Sequence, residues 1–197
     1  VILSDAAIRQ CLQTGKLIID PMPPQEHFNT TAVDLRLGNV FKVWDNAKIN
    51  QRGIDMRIVY DDVRIPNLAP FAMVPPLEAD GSFLLGPQRF VIAQTLEKVG
   101  FPLASRLSGR VEGRSSLARL GVVVHLTAPT IHADFGGENG APITLEIINL
   151  GPFKVAVKPG VSRICQLIVE RVEGEAGDAP KSQFRDQADP LGGPAPS

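Results

Sequence analysis

No run of this chain approaches the apolar length that a membrane-spanning helix requires, and its first residues show neither the basic nor the apolar region of a secretory signal. A cytoplasmic protein is therefore expected. Excess charge is also missing. The formal net charge is -1 with no block of like charge, so the surface offers nothing to coat a nucleic-acid polymer or to bind a membrane patch. Any polyanion it binds must be small and recognised locally. The two cysteines, Cys11 and Cys165, lie in apolar surroundings of separate segments, and buried free thiols are expected rather than a disulfide. The three histidines, His27, His125 and His132, are scattered, whereas a catalytic zinc needs about three protein ligands. The lone Trp44 and Tyr60 fall in strand-like runs and read as core or interface aromatics.

What is present is enough apolar material for one core. At 197 residues and 44% hydrophobic content, one domain over residues 1–173 is expected. Ser4 is placed to cap a helix whose apolar face is Ile8, Cys11 and Leu12 and whose stop is Gly15. From Leu17 the pattern changes to short alternating runs broken by Pro and Gly: VDLRLG, FKVW, RIVYDDVRI, FLLGP, RFVIAQTL, VVVHLTA, ITLEIIN, FKVAVKPG and ICQLIVERV. Many short strands with such turn signals indicate an all-β barrel or sandwich. The segment Pro66 to Pro76 reads as a surface connection, being rich in proline. After Glu173 the composition turns to Gly, Ala, Pro and charge. Residues 174–197 are thus expected to form a tail that is disordered on its own.

Two stretches stand out chemically. In Val111 to Thr130, VEGRSSLARLGVVVHLTAPT, Ser115 and Ser116 are good N-cap residues ahead of a helix-compatible LARL, and Gly121 is a natural stop. The free N–H groups of that short helix, two hydroxyls and the guanidinium of Arg114, with Arg119 beyond, suit a phosphate group. From these residues alone a capped connector with solvated arginines is the favoured reading, since short anion-binding patterns often arise by chance. The second stretch is ITLEIIN, Ile143 to Asn149. Strand alternation puts Thr144, Glu146 and Ile148 on one face and Ile143, Leu145 and Ile147 on the other. Apolar residues on both faces argue against simple solvation of Glu146, and such surroundings raise a carboxylate pKa. A half-exposed glutamate on an edge strand is the plainer alternative. His125, within VVVHLTA, reads as a hydrogen-bonded core residue, and Asp34 as a structural acid that satisfies buried N–H groups or Arg36.

The run GRSSLARLG, followed by H-x-T-A at His125 to Ala128 and ITLE at Ile143 to Glu146, closely resembles the dCTP deaminases of the trimeric dUTPase-like superfamily. The resemblance extends to Leu3 to Pro24, to VDLRLGNxF at Val33 to Phe41 and to Phe83 to Pro102, so it covers most of the chain. It implies a mainly β, distorted barrel or jelly-roll-like dUTPase-type fold with an N-terminal helix and a short helix after GRSS. It further implies deamination of dCTP to dUTP and ammonia, with Glu146 carrying protons and Arg114, Ser115 and the carbonyl of Ala128 orienting water and base. Ser116 and Arg119 would hold the triphosphate, Thr144 and Leu145 would line the pocket, His132 would reach the sugar, and Gln187 would belong to a tail that closes over the nucleotide. Zinc deaminases carry H-x-E with P-C-x-x-C, and this chain has neither. The resemblance thus implies a metal-free reaction, with magnesium bound to the triphosphate. Further implied are a homotrimer with sites between subunits and dTTP as an inhibitor.

Three features depart from the family pattern. Residues 137–144 read GENGAPIT, a longer turn before the catalytic strand. His132 replaces the usual aspartate. The tail reads QFRDQAD at Gln183 to Asp189, without the usual lysine and glycine, although Lys181 lies close by. Two alternatives remain at this point: a non-catalytic or regulatory nucleotide-binding homotrimer, and a dUTP pyrophosphatase.

Overall fold

A computed structural model describes residues 1–51, 57–174, 177 and 189–191. The first helix, α1 (Asp5–Gln13), begins where expected, with the Ala7 N–H donating to Ser4 Oγ at 3.3 Å. It buries Ile8 and Cys11, and Gly15 just beyond it takes φ +69°, a conformation that glycine adopts without a Cβ penalty. Strands follow: β1 (Ile18–Asp20), β2 (Phe28–Asn29) and β3 (Ala32–Trp44), the last fusing the VDLRLG and FKVW runs into 13 residues. After α2 (Asn46–Gln51) come β4 (Ala72–Met73), β5 (Phe83–Leu85), β6 (Phe90–Gly100) and β7 (Leu107–Gly113). The chain then passes through α3 (Ser115–Ala118), β8 (Val122–Val123), β9 (Thr130–Ile131), β10 (Ala141–Asn149), β11 (Val155–Val157) and β12 (Arg163–Arg171).

Ten of these strands form one antiparallel sheet in the order β8-β10-β6-β3-β12-β7-β9, with β1 on β6 and β2 and β4 on β3, while β5 pairs with β11 separately. The two ends of this path are bound by one stretch of chain. β7 belongs to the end that carries β9, yet the connection after it reaches β8 at the opposite end through a single short helix. So short a link spans both ends only because the sheet curls into an incomplete barrel, the mainly β architecture expected. Alternate residues fill its interior: Leu35 and Leu37 of β3, Val91 and Ala93 of β6, Leu145 and Ile147 of β10, and Leu167 and Val169 of β12 are all buried. Cys11 and Cys165 are buried free thiols, as expected, and burial with the nearby Glu97 and Asp34 carboxylates pushes the Cys165 thiol far up. No helix among the described residues is long and apolar enough to cross a membrane.

Some expected strands do not form. The RIVYDDVRI run has no strand in its described part, residues 57–65, and Tyr60 is 87% exposed rather than a core aromatic. Asp61 and Asp62 at its middle offer a sheet two adjacent carboxylates, one for each face, which strands disfavour. Trp44 is half-buried at the end of β3, opposite Ala72. VVVHLTA supplies only the two residues of β8, because Leu126 turns to φ 45° and the Ala128 N–H closes a turn on the His125 carbonyl at 3.0 Å. The proline-rich segment is a surface 3-10 helix, Ile65–Phe71, leading to the short edge strand β4.

Candidate active site

β7 delivers the chain to Arg114, and the N-cap of α3 is this arginine, not Ser115 or Ser116 as expected: Arg114 keeps extended dihedrals (φ -84°, ψ 133°) and its carbonyl accepts from the Ala118 N–H at 2.9 Å. With the two serines inside the helix, their hydroxyls do no capping, and both are exposed. Gly121 ends the turn at φ +87°. A Cβ there would lie 2.3 Å from the Gly151 nitrogen, and one on Gly151 would lie 1.8 Å from the Leu120 carbonyl oxygen. Together with the Leu150 N–H donating to the Gly121 carbonyl at 2.8 Å, this close approach fastens the end of α3 to the end of β10.

Arg114, Ser115, Ser116, Arg119 and Gln166 line one cavity of about 360 Å³. The structure therefore brings together the serines and both arginines singled out in the sequence, and adds Gln166, which sequence reasoning missed. Its signal was present as a lone amide in the apolar run ICQLIVERV. Asp34 is a buried structural acid, as expected, but its partner is not Arg36. It is 1% exposed and accepts from the Arg114 guanidinium, from Arg163 Nη1 at 3.1 Å, from Gln166 Nε2 at 3.0 Å and from Asn29 Nδ2 at 3.0 Å. Arg36 instead meets the fully buried Glu97, through its Nε and its backbone N–H, both at 2.7 Å. One buried carboxylate thus holds Arg114 and Gln166 in the wall of the cavity. Removing one partner of a buried pair leaves the other charges uncompensated, typically at a cost of about 3–5 kcal/mol. Asp34→Ala is expected near the lower end of that range, since Arg163 is 40% exposed. The check is urea unfolding with nucleotide titration alongside, in which lower stability and weaker binding should appear together.

Glu146 lies elsewhere on the chain's surface and does not line this cavity. On β10 the alternation is as expected: Ile143, Leu145 and Ile147 are buried in the barrel, and Thr144, Glu146 and Ile148 occupy the other, half-buried face. Leu145 is 0% exposed in the isolated chain, so its side chain belongs to the core. Burial raises the Glu146 pKa above the ordinary carboxylate range, opposed in part by a hydrogen bond from its own backbone N–H. No side chain among the described residues donates to its carboxylate. Cross-strand pairing extends this face, since Glu146 lies opposite Ile92 of β6 and Ile92 opposite Lys42 of β3. Lys42 Nζ in turn meets Asp189 of the C-terminal segment at 3.0 Å, and Leu191 just beyond is 1% exposed. The described part of the tail therefore packs on the face that carries Glu146. Gln187 lies outside the described residues.

The remaining expected positions surround the turns. The Ala128 carbonyl sits in an exposed turn, and His132 is exposed immediately after β9. Asp134 adopts φ 70°, so the backbone does not continue extended past His132 and the acid does not share its face. The long 134–140 turn packs on the end of β6, with the Asp134 N–H donating to the Phe101 carbonyl at 3.0 Å and the Phe101 N–H to the Phe135 carbonyl at 2.8 Å. His125 Nε2 lies 4.0 Å from Glu112, and its buried Nδ1 has no partner, so it is less fully hydrogen-bonded than a core histidine was expected to be.

A family model described as dCTP deaminase-like matches residues 2–172. A relative from Methanobrevibacter smithii named "dCTP deaminase, dUMP-forming" is 41% identical over 169 residues, 86% of this chain and 79% of that protein. A "dCTP deaminase" of Rhodospirillum rubrum is 32% identical over 202 residues, 96% of this chain and 94% of that protein. Among solved structures, the 2'-deoxycytidine 5'-triphosphate deaminase from Agrobacterium tumefaciens shares the fold, with a TM-score of 0.60 at 22% identity. The likeness covers 85% of this chain and 47% of that one, so this chain spans about half its length.

Proposed function

The chain belongs to the dCTP deaminase-like family, and we propose that it hydrolyses the exocyclic amine of dCTP, giving dUTP and ammonia, in a homotrimer whose sites lie between subunits. The observation that carries this reading is the separation on one chain of two incomplete halves. The Arg114 to Arg119 cavity has cations and hydroxyls but no proton carrier among its lining residues, while Glu146 has a half-buried carboxylate on a face whose described cation, Lys42, is already paired with Asp189. A second copy that covers the half-buried Thr144, Glu146 and Ile148 face with its own cavity would complete both.

In the reaction, water attacks C4 of the cytosine ring while Glu146 takes its proton. The same carboxyl gives that proton to the ring nitrogen, then takes the hydroxyl proton from the tetrahedral carbon and passes it to the amine, so that the carbon collapses to a carbonyl as ammonia leaves. A carboxyl with a raised pKa suits both directions of transfer. Arg114, fixed by Asp34, Ser115 and the Ala128 carbonyl orient the water and the amine end of the base. Ser116 and Arg119 hold the triphosphate, which enters with its magnesium as part of the substrate. The Thr144 side chain and the backbone at Leu145 border the base, His132 reaches the sugar hydroxyl, and the tail with Gln187 closes over the nucleotide, in keeping with Asp189 at Lys42. dTTP, with the same triphosphate and sugar, competes for the site.

Accumulation of dUTP is favoured by the absence of a carboxylate at position 132 and by the turn that takes Asp134 off that face. A second reading, onward cleavage to dUMP, is favoured by the name of the Methanobrevibacter smithii relative. Incubation with magnesium and dCTP, followed by chromatography and by ammonia and pyrophosphate assays, tests both. Ammonia without pyrophosphate is the expected result. Equal release of the two would establish the second reading, and nucleotide binding without ammonia would overturn deamination.

A further inference from the structure

On the Glu146 face, the residue of β6 directly opposite Thr144 is Gln94. It is 3% exposed, and its side-chain Nε2 is buried without a hydrogen-bond partner. An amide in that state is unusual, because a buried donor left unpaired loses its hydration for nothing in return. Its neighbours on the same face explain little: Ile92, two residues along β6, is apolar and buried, and Ile148 and Phe90 form the next cross-strand pair beyond it. Thr144, directly opposite, offers only a neutral hydroxyl, and the charged acceptor on the facing strand is Glu146. It lies opposite Ile92, so Gln94 and Glu146 are diagonal cross-strand neighbours, a separation of roughly 7–8 Å that long side chains bridge. The two groups have complementary deficits, since the amide lacks an acceptor and no side chain among the described residues donates to the carboxylate.

We propose that Gln94 is a positioning residue for Glu146: when a second subunit and the nucleotide cover this face, the Gln94 amide donates to the Glu146 carboxylate and fixes the rotamer in which it meets the attacking water. The inference rests on the reading of Glu146 as the proton carrier. A donor to the charged form also favours that form, so Gln94 counterbalances the burial that pushes the Glu146 pKa up and keeps the carboxylate able to accept a proton. The charged groups on the adjoining elements leave it this role. Lys42 of β3 stands one strand further away, opposite Ile92, and is paired with Asp189 of the tail. His125, in the turn after β8, faces Glu112.

The test uses Gln94→Met, close in shape but without the donor, and Gln94→Glu, which puts a second carboxylate on the face. For each intact protein, two quantities are measured: the pH dependence of kcat/KM for dCTP, and a 13C titration of the Glu146 carboxyl with dUTP bound, its signal assigned through Glu146→Gln. The expected result is an acidic limb and a carboxyl titration that both move up by about one pH unit in the Met variant and further in the Glu variant. kcat should fall about tenfold at pH 7, with KM and thermal stability of the Met variant held or improved. A lower melting temperature with an unmoved limb and titration would make Gln94 merely structural. A raised KM alone would make it a substrate contact, and either outcome overturns the proposal. Wild-type protein that releases no ammonia from dCTP overturns the functional reading instead, while the carboxyl titration still decides the Gln94–Glu146 contact.

Discussion

Glu146→Gln is expected to reduce deamination of dCTP by roughly two to four orders of magnitude while leaving dCTP affinity within a few-fold of wild type. The amide has the size of the carboxylate and sustains the packing on the half-buried face of β10, but it cannot take a proton from water. The raised pKa of Glu146 gives the loss a pH signature. Because burial favours the neutral acid, the wild-type acidic limb should lie above the ordinary carboxylate range, and the residual activity of the variant should show no such limb. Rapid-quench kinetics and equilibrium binding across pH measure both. Near-full activity in this variant would falsify the role given to Glu146.

Arg119→Ala should produce the second large effect, weakening dCTP about ten- to a hundredfold while leaving the much weaker binding of deoxycytidine unchanged. The guanidinium is exposed in the isolated chain, beside two serine hydroxyls that cap nothing, and it has no ion pair among the described residues. On the proposed reading the triphosphate gives it a charge to meet. Calorimetry with both ligands separates the cases, and equal losses for nucleotide and nucleoside would show that Arg119 supports the fold rather than the phosphates.

The sequence revealed most where local chemistry decides structure. Ser4 capping α1, Gly15 and Gly121 ending helices, and the alternation that turns Glu146 away from the barrel are each determined by a few adjacent residues. The losses were long-range. Nothing near Asp34 announces that Arg114 and Arg163, 80 and 129 positions away, converge on it while Arg36 next door goes to Glu97. The N-cap shifted by one residue for a related reason. Arg114 is held by Asp34 in an extended conformation, so the helix starts after it and the serines are left for another use. RIVYDDVRI has the apolar residues of a strand, but in its described part it found no partner strand, and the adjacent Asp61 and Asp62 were the sign of that. Lys42 and Gln94 were invisible in another sense, because only the register of β3, β6 and β10 places them on the face of Glu146.

That register also leaves Glu146 outside the cavity that carries the serines and arginines, and subunit mixing tests the resulting claim of a shared site most directly. Glu146→Gln and Arg119→Ala proteins are unfolded together, refolded as an equal mixture and assayed at dCTP concentrations well below saturation. In randomly mixed trimers of the proposed kind, about one interface in four joins an intact Glu146 to an intact Arg119 cavity. Activity should therefore return to about a quarter of wild type, far above either parent refolded alone. A mixture no more active than the average of its parents would place Glu146 and Arg119 in the same subunit's site and contradict the arrangement.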